Sequence, residues 1–167
     1  MRAGIALGSN IEPRLLNLQA ARRGLLELHG KSQPALCSKV YETTPVDCRE
    51  GSQAFLNAVM EITTDLPPRQ LLGRLQALEL SLGRTPVHEK NAPRTIDLDL
   101  IYCDQITLSD PDLTLPHPRL ALRRFVLQPL SDIRPDLILP NFTENVEKLL
   151  KDAVSDENVT IYCNLIY

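Results

Sequence analysis

The chain has 167 residues, 43% of them hydrophobic and 23% charged, a composition that excludes disordered and collagen-like classes. Its 21 acidic and 18 basic residues leave a net charge of −3, which argues against a surface built to grip duplex nucleic acid. No apolar run has the length of a membrane span or the form of a secretory signal, and one domain of ordinary core size accounts for the length.

In chain order, the small apolar residues 2–7 read as a strand closed by a turn at Gly8-Ser9-Asn10. Pro13 suits the first turn of a helix whose stripe is Leu15, Leu18, Ala21, Leu25 and Leu28, with Gly30 as its stop. Residues 36–41 read as a strand and 43–53 as a loop. Residues 55–63 alternate well enough for a strand, with Leu56, Ala58, Met60 and Ile62 on one face. Pro67-Pro68 opens a second helix carrying Leu71, Leu75, Leu78 and Leu82, and Gly83 ends it. A polar loop over 84–94 precedes the clearest strand, 95–103. Residues 109–118 form a proline-rich loop, 124–130 fit a short helix or a strand equally well, 143–153 a modest helix and 159–167 a last strand.

The first six elements run strand, helix, strand, strand, helix, strand. That order specifies an α+β fold with a ferredoxin-like split βαβ core, an antiparallel sheet with two helices on one face. Extra C-terminal elements follow. The four cysteines, Cys37, Cys48, Cys103 and Cys163, have neither zinc nor redox-pair spacing and read as thiols of a reducing compartment. The 13 prolines against 7 glycines point to stiffened loops.

The densest chemistry lies in Arg94-Thr95-Ile96-Asp97-Leu98-Asp99. In a strand, Asp97 and Asp99 share one face while Ile96, Leu98 and Leu100 point to the core. Two adjacent carboxylates repel each other unless a cation lies between them, and strands are poor in aspartate. Such a pair suits Mg²⁺ shared with substrate phosphates; the alternative is the polar face of an edge strand. Arg84, His88, Lys90 and Arg94 precede the pair, and Arg119, Arg123 and Arg124 follow it. Guanidinium forks match phosphate oxygens, so the set favours a metal–nucleotide site, although no Walker-type loop occurs. Gly8-Ser9-Asn10 reads better as a plain turn than as a phosphate loop.

Seven ordered blocks resemble the 6-hydroxymethyl-7,8-dihydropterin pyrophosphokinase family over about residues 1–140. They include Ala6-Leu7-Gly8-Ser9-Asn10, Tyr41-Glu42-Thr43-Thr44-Pro45-Val46, Phe55-Leu56-Asn57-Ala58, Pro93-Arg94-Thr95-Ile96-Asp97-Leu98-Asp99 and Leu115-Pro116-His117-Pro118-Arg119. The resemblance implies an ATP-dependent pyrophosphokinase that moves pyrophosphate from ATP to the pterin hydroxymethyl group, releasing AMP, in folate biosynthesis. It implies two Mg²⁺ ions on Asp97 and Asp99, with Arg84 and Arg94 as catalytic phosphate contacts. Thr43, Thr44 and Val46 would meet the pterin edge, Asn57 its ring, and Phe55 and Phe125 its faces. ATP would fall to Leu72, Gln76, Glu79, Leu100 and Thr114 on the adenosine side and to His117 and Arg123 on the phosphate side. A cytoplasmic enzyme, acting as a monomer with no nucleic-acid or membrane partner, is the matching expectation.

The chain departs from the family's usual pattern in residues 86–92. Lys90 stands where arginine is usual, Asn91 where an aromatic residue covers the site, and Pro86 where a base is common. Asp112 and Thr44 are further departures. They imply an altered lid and slower turnover, and they leave a non-catalytic pterin- or nucleotide-binding paralogue as the alternative. Residues 141–167 form a C-terminal extension to which the resemblance assigns no role.

Overall fold

A computed structural model of the protein describes residues 1–30, 33–43, 53–84, 93–154 and 158–164. Thr44, Val46, Cys48, Pro86 and the loop residues 88–92 fall outside the described residues.

The first strand, β1 (Arg2–Ser9), runs past the expected stop at Leu7. Gly8 still pairs with Asn57 on one side and Asp97 on the other, and Ser9 pairs with Leu56. Helix α1 (Arg14–Glu27) follows Pro13 and buries Leu18, Ala21 and Leu25, the predicted stripe. The strand expected over 36–41 is broken into β2 (Leu36–Cys37) and β3 (Val40–Thr43). At the break, Ser38 N–H donates to Val59 O at 3.0 Å and Ser38 Oγ accepts from Val59 N–H at 2.9 Å. Lys39 N–H turns away to Asp132. Side chains thus satisfy backbone groups that a continuous ladder would have used.

Strand β4 (Phe55–Thr63) has its expected limits. Helix α2 (Pro68–Ser81) begins on proline and buries Leu71, Leu75 and Glu79. Gly83, at φ 93°, ends it in the left-handed region, and Arg84 N–H returns to Glu79 O at 3.0 Å. Strand β5 (Asp97–Cys103) begins two residues later than expected. The loop expected over 109–118 holds a small ladder, β6 (Leu108–Ser109) against β7 (Thr114–Leu115), because Asp110 and Leu113 exchange backbone bonds and close a tight turn. The ambiguous segment is helical: α3 (Arg124–Ile133) buries Val126, Leu127 and Leu130 on one stripe. Helix α4 (Val146–Asp152) is capped by Asn145 Oδ1, which accepts from Lys148 N–H at 2.9 Å. The last strand, β8 (Val159–Cys163), is shorter than the expected one.

The sheet order is β5-β1-β4-β3-β8, antiparallel throughout, with β2 also paired to β4. Its first four members and the helices between them make the ferredoxin-like core. Helices α1 and α2 cover one face, burying Ile5, Leu7, Leu56, Met60, Leu98 and Leu100. The core thus has its two expected helices on one face, and of the extra C-terminal elements α3 and α4 add a second layer, burying Val59, Ile101, Tyr102 and Leu139 on the other. Apolar residues on both faces of β4 and β5 demand two cores. A bulge in β5 adds to this: Ile5 faces Leu100 and Gly4 faces Tyr102, leaving Ile101 extra. The Tyr102 ring lies on Gly4 so closely that a Cβ there would stand 2.1 Å from its Cε1.

The C-terminal extension is therefore part of the sheet and of the second core. Among the described residues no helix is long and apolar enough to cross a membrane.

Candidate active site

Among the described residues the face covered by α3 is open at one end, and register explains why. On β1 this face carries Gly4, Ala6 and Gly8. Ala6 lies opposite Val59 and Asp99, and Gly8 opposite Asn57 and Asp97. A strip of minimal side chains thus separates the β5 carboxylates from the β4 residues Phe55 and Asn57. A Cβ built on Gly8 would stand 3.3 Å from Asn57 Oδ1, 3.9 Å from Phe55 Cδ1 and 4.0 Å from Asp97 Cβ. At the far end Tyr102 fills the same strip over Gly4.

Asp97 and Asp99 do share one face, as their spacing predicts, and arginines meet both. Arg84 Nη1 lies 2.9 Å from Asp97 Oδ1, and Arg94 Nη1 2.6 Å from Asp97 Oδ2. Arg123 Nη1 donates to Asp99 Oδ2 at 2.8 Å. These pairs are only partly screened from water, with side-chain exposures of 16–38%. Among the described residues Arg94 Nε is buried without a hydrogen-bond partner, a donor beside the carboxylates.

The arginines are held by residues behind them. Asn10, nearly buried, accepts from Arg94 N–H through Oδ1 at 2.7 Å and returns its own N–H to Arg94 O at 3.2 Å. Glu79 Oε1 accepts from Arg84 and from Leu98 N–H, the latter at 2.7 Å. Leu98 sits between the two aspartates on the outer edge of β5, which Glu79 covers, so Glu79 fixes the peptide that spaces them. Burial pushes the Glu79 carboxyl upward, against the pull of the Leu98 bond and Arg84.

His117 Nδ1 accepts from Arg119 N–H at 3.1 Å, which leaves Nε2 as the protonated nitrogen. Nε2 faces Arg123 Nη1 at 3.4 Å. Two donors that meet in this way favour an anion beside them. Burial, then the Arg123 charge, lowers the His117 pKa, which keeps the ring neutral.

On the β4 side, Asn57 is 5% exposed and donates to Thr43 Oγ1 at 2.7 Å. It is a buried polar group at the groove, not an exposed strand residue. Phe55 and Phe125 are half-buried, and Arg123 Cζ lies 5.6 Å from the Phe125 ring centroid. Arg123 thus links the carboxylate row to the aromatic row. Along the outer edge of β5, Leu72 is half-buried on α2, Gln76 and Thr114 are exposed and Glu79 is buried. Leu100 is 4% exposed with its side chain in the α1–α2 core, so it has only backbone to offer a ligand.

The carboxylate pair fits a hard cation only in part. Among the described residues no group of three His, Cys, Asp or Glu side chains gathers to hold a metal. Two carboxylates plus phosphate oxygens are the usual set for Mg²⁺, whereas two alone are too few. A metal fits here when it arrives with a polyphosphate. The holding role of Asn10 was missed in the sequence reading; the one signal was an amide side chain at the end of the first strand.

The family described as 7,8-dihydro-6-hydroxymethylpterin-pyrophosphokinase (HPPK) matches residues 4–135. A 2-amino-4-hydroxy-6-hydroxymethyldihydropteridine pyrophosphokinase of Bacillus subtilis is 39% identical over 93% of this chain and 86% of its own. One of Haemophilus influenzae is 34% identical over 95% and 97%. A folic acid synthesis protein fol1 of Pneumocystis carinii is 39% identical over 81% of this chain, which spans only 18% of that protein. Among solved structures, Plasmodium falciparum HPPK-DHPS with pterin and p-hydroxybenzoate superposes with a TM-score of 0.69 at 16% identity. That match covers 90% of this chain and 42% of the other, and at such identity it shows the fold.

Proposed function

The chain belongs to the 7,8-dihydro-6-hydroxymethylpterin-pyrophosphokinase family, and we propose that its open groove transfers pyrophosphate from ATP to 6-hydroxymethyl-7,8-dihydropterin, releasing AMP. The observation that carries the reading is the convergence of Arg84, Arg94 and Arg123 on two carboxylates two residues apart on one strand face. In the reaction the pterin hydroxymethyl oxygen bonds to the β-phosphorus of ATP. The bond from that phosphorus to the α–β bridging oxygen breaks, and the hydroxyl proton is released.

Asp97 and Asp99 would hold two Mg²⁺ ions together with the phosphates. Bound there, the metal would draw charge off the phosphoryl oxygens being separated. Each guanidinium carries five N–H donors, so Arg94 and Arg123 can reach phosphate with donors beyond those that meet carboxylate, and Arg84 adds its positive charge. His117 Nε2–H adds a neutral donor beside Arg123. Held by Glu79 and Asn10, Arg84 and Arg94 meet the developing charge with little reorganisation, the electrostatic source of most such rate gains.

Asn57 and Thr43 would read the polar edge of the pterin, with Phe55 and Phe125 on its faces. Thr44 and Val46 complete that proposal. The adenosine moiety would lie along α2, β5 and β7, near Leu72, Gln76, Glu79, Leu100 and Thr114. The test is AMP release from ATP. The reading requires that it depend on both the pterin and Mg²⁺; binding of either substrate without AMP would instead mark the non-catalytic paralogue.

A further inference from the structure

Arg14 lies outside every block that carries the family resemblance and outside the reacting groups. It is nevertheless the most connected cation of the described residues near the pterin side. Its Nη1 donates to Glu42 Oε1 at 2.7 Å and to Ala54 O at 2.8 Å, and its Nε donates to Glu12 Oε1 at 2.9 Å. Its side chain is 15% exposed, and its Cζ lies 5.9 Å from the Tyr162 ring centroid. Glu42 adjoins Thr43, and Ala54 adjoins Phe55. One guanidinium nitrogen therefore ties together the residues flanking two of the proposed pterin contacts, across the β3–β4 ladder in which Thr43 pairs with Phe55.

The C-terminal strand closes the arrangement. β8 pairs Val159 with Thr43 and Thr160 with Glu42, and Tyr162 of the same strand covers the guanidinium. Burial beside an aromatic ring strengthens such charge-assisted bonds and limits the freedom of the groups they join.

We infer that Arg14 is a positioning residue for the pterin side of the groove, and that β8, through Tyr162 and the ladder to β3, is its buttress. The inference rests on the pyrophosphokinase reading. It acts through the Glu42 side chain and the Ala54 carbonyl, on the residues that precede Thr43 and Phe55, and leaves the carboxylate–arginine half of the site alone. Arg14→Ala should therefore weaken pterin binding selectively.

Steady-state AMP formation by the full chain separates the possibilities. Arg14→Ala is expected to raise the KM for the pterin about tenfold, the scale of one lost charge-assisted hydrogen bond. The KM for ATP and kcat should stay within about twofold. Arg14→Lys, a cation without the fork, should fall between the two. An unchanged pterin KM, or pterin and ATP KM values rising in parallel, overturns the inference. If Arg14→Ala does not fold, Glu42→Gln serves: it weakens one of the two clamp bonds, and a smaller, pterin-only rise in KM is required of it. A wild-type protein that makes no pterin-dependent AMP overturns the underlying reading and the inference with it. A normal wild type with a silent Arg14→Ala overturns the inference alone.

Discussion

Glu79 offers the sharpest test of how the site is held. It is 5% exposed, and one oxygen serves both Leu98 N–H and Arg84. Alanine strands the Leu98 N–H on the covered edge of β5, a cost of about 1–3 kcal/mol. Losing the Arg84 partner adds a further cost, offset by relief of the buried carboxylate. Arg84 keeps Asp97 and is 21% exposed, so that increment is small, about 0–1 kcal/mol. A net loss of about 2–3 kcal/mol lowers the Tm by roughly 5–10 °C in a chain of this size. Glutamine keeps an oxygen for Leu98 N–H and should cost no more than about 1 kcal/mol.

The pH dependence has a definite sign. A carboxyl raised above 4.5 binds more protons folded than unfolded, so its contribution is complete below that pH and is lost as the pH rises through the folded value. Glu79→Gln should therefore gain on the wild type as pH rises above 4.5. Urea melts at several pH values measure this. The reasoning is refuted if glutamine is as damaging as alanine, because the charge and not the acceptor would then dominate.

Asp97→Asn and Asp99→Asn should each cut AMP formation by at least about 10²-fold, while circular dichroism and Tm stay close to wild type, since both side chains face the groove. Gly4→Ala should destabilise by about 3 kcal/mol or more, because a Cβ would meet the Tyr102 ring at 2.1 Å and the Tyr102 hydroxyl is tied to the buried Glu61; a Tm within a degree or two of wild type contradicts the packing described. Burial, and then Asp132, push Tyr41 up to about 12, and burial with Glu61 raises Tyr102 further. Raised phenols lend stability that is full below pH 10 and is lost as pH climbs through the folded values, so absorbance titration should show Tyr41 ionising near pH 12 with Tyr102 later still, and Tyr41 titrating near 10 refutes its burial.

Much of this was legible from residue spacing. The 3–4 periodicity of Leu71, Leu75, Leu78 and Leu82 and the proline and glycine at its ends located α2. The alternation around Asp97 and Asp99 placed both carboxylates on one face. Other features depend on partners far along the chain. The break at Ser38 exists because Val59 and Asp132 claim its backbone and that of Lys39. The second helical layer answers apolar residues on both faces of β4 and β5, which a period of two conceals when both faces are buried. Asn10 and Arg14 reach their roles through a few hydrogen bonds to Arg94, Glu42 and Ala54, distant along the chain, and no local pattern announces those. The prolines do more than stiffen loops: Pro13 and Pro68 start helices, as their positions in the sequence predict, and Pro129 sits within α3, where it removes the N–H that would bond Phe125 O.

The central claim is that one groove joins metal-bound ATP to the pterin. The most direct measurement is AMP released from ATP by the wild type and by Asp97→Ala, with and without 6-hydroxymethyl-7,8-dihydropterin and Mg²⁺. The wild type should release AMP only when both are present, and a folded Asp97→Ala protein none above background. AMP formed without pterin, or an Asp97→Ala rate near that of the wild type, would contradict it.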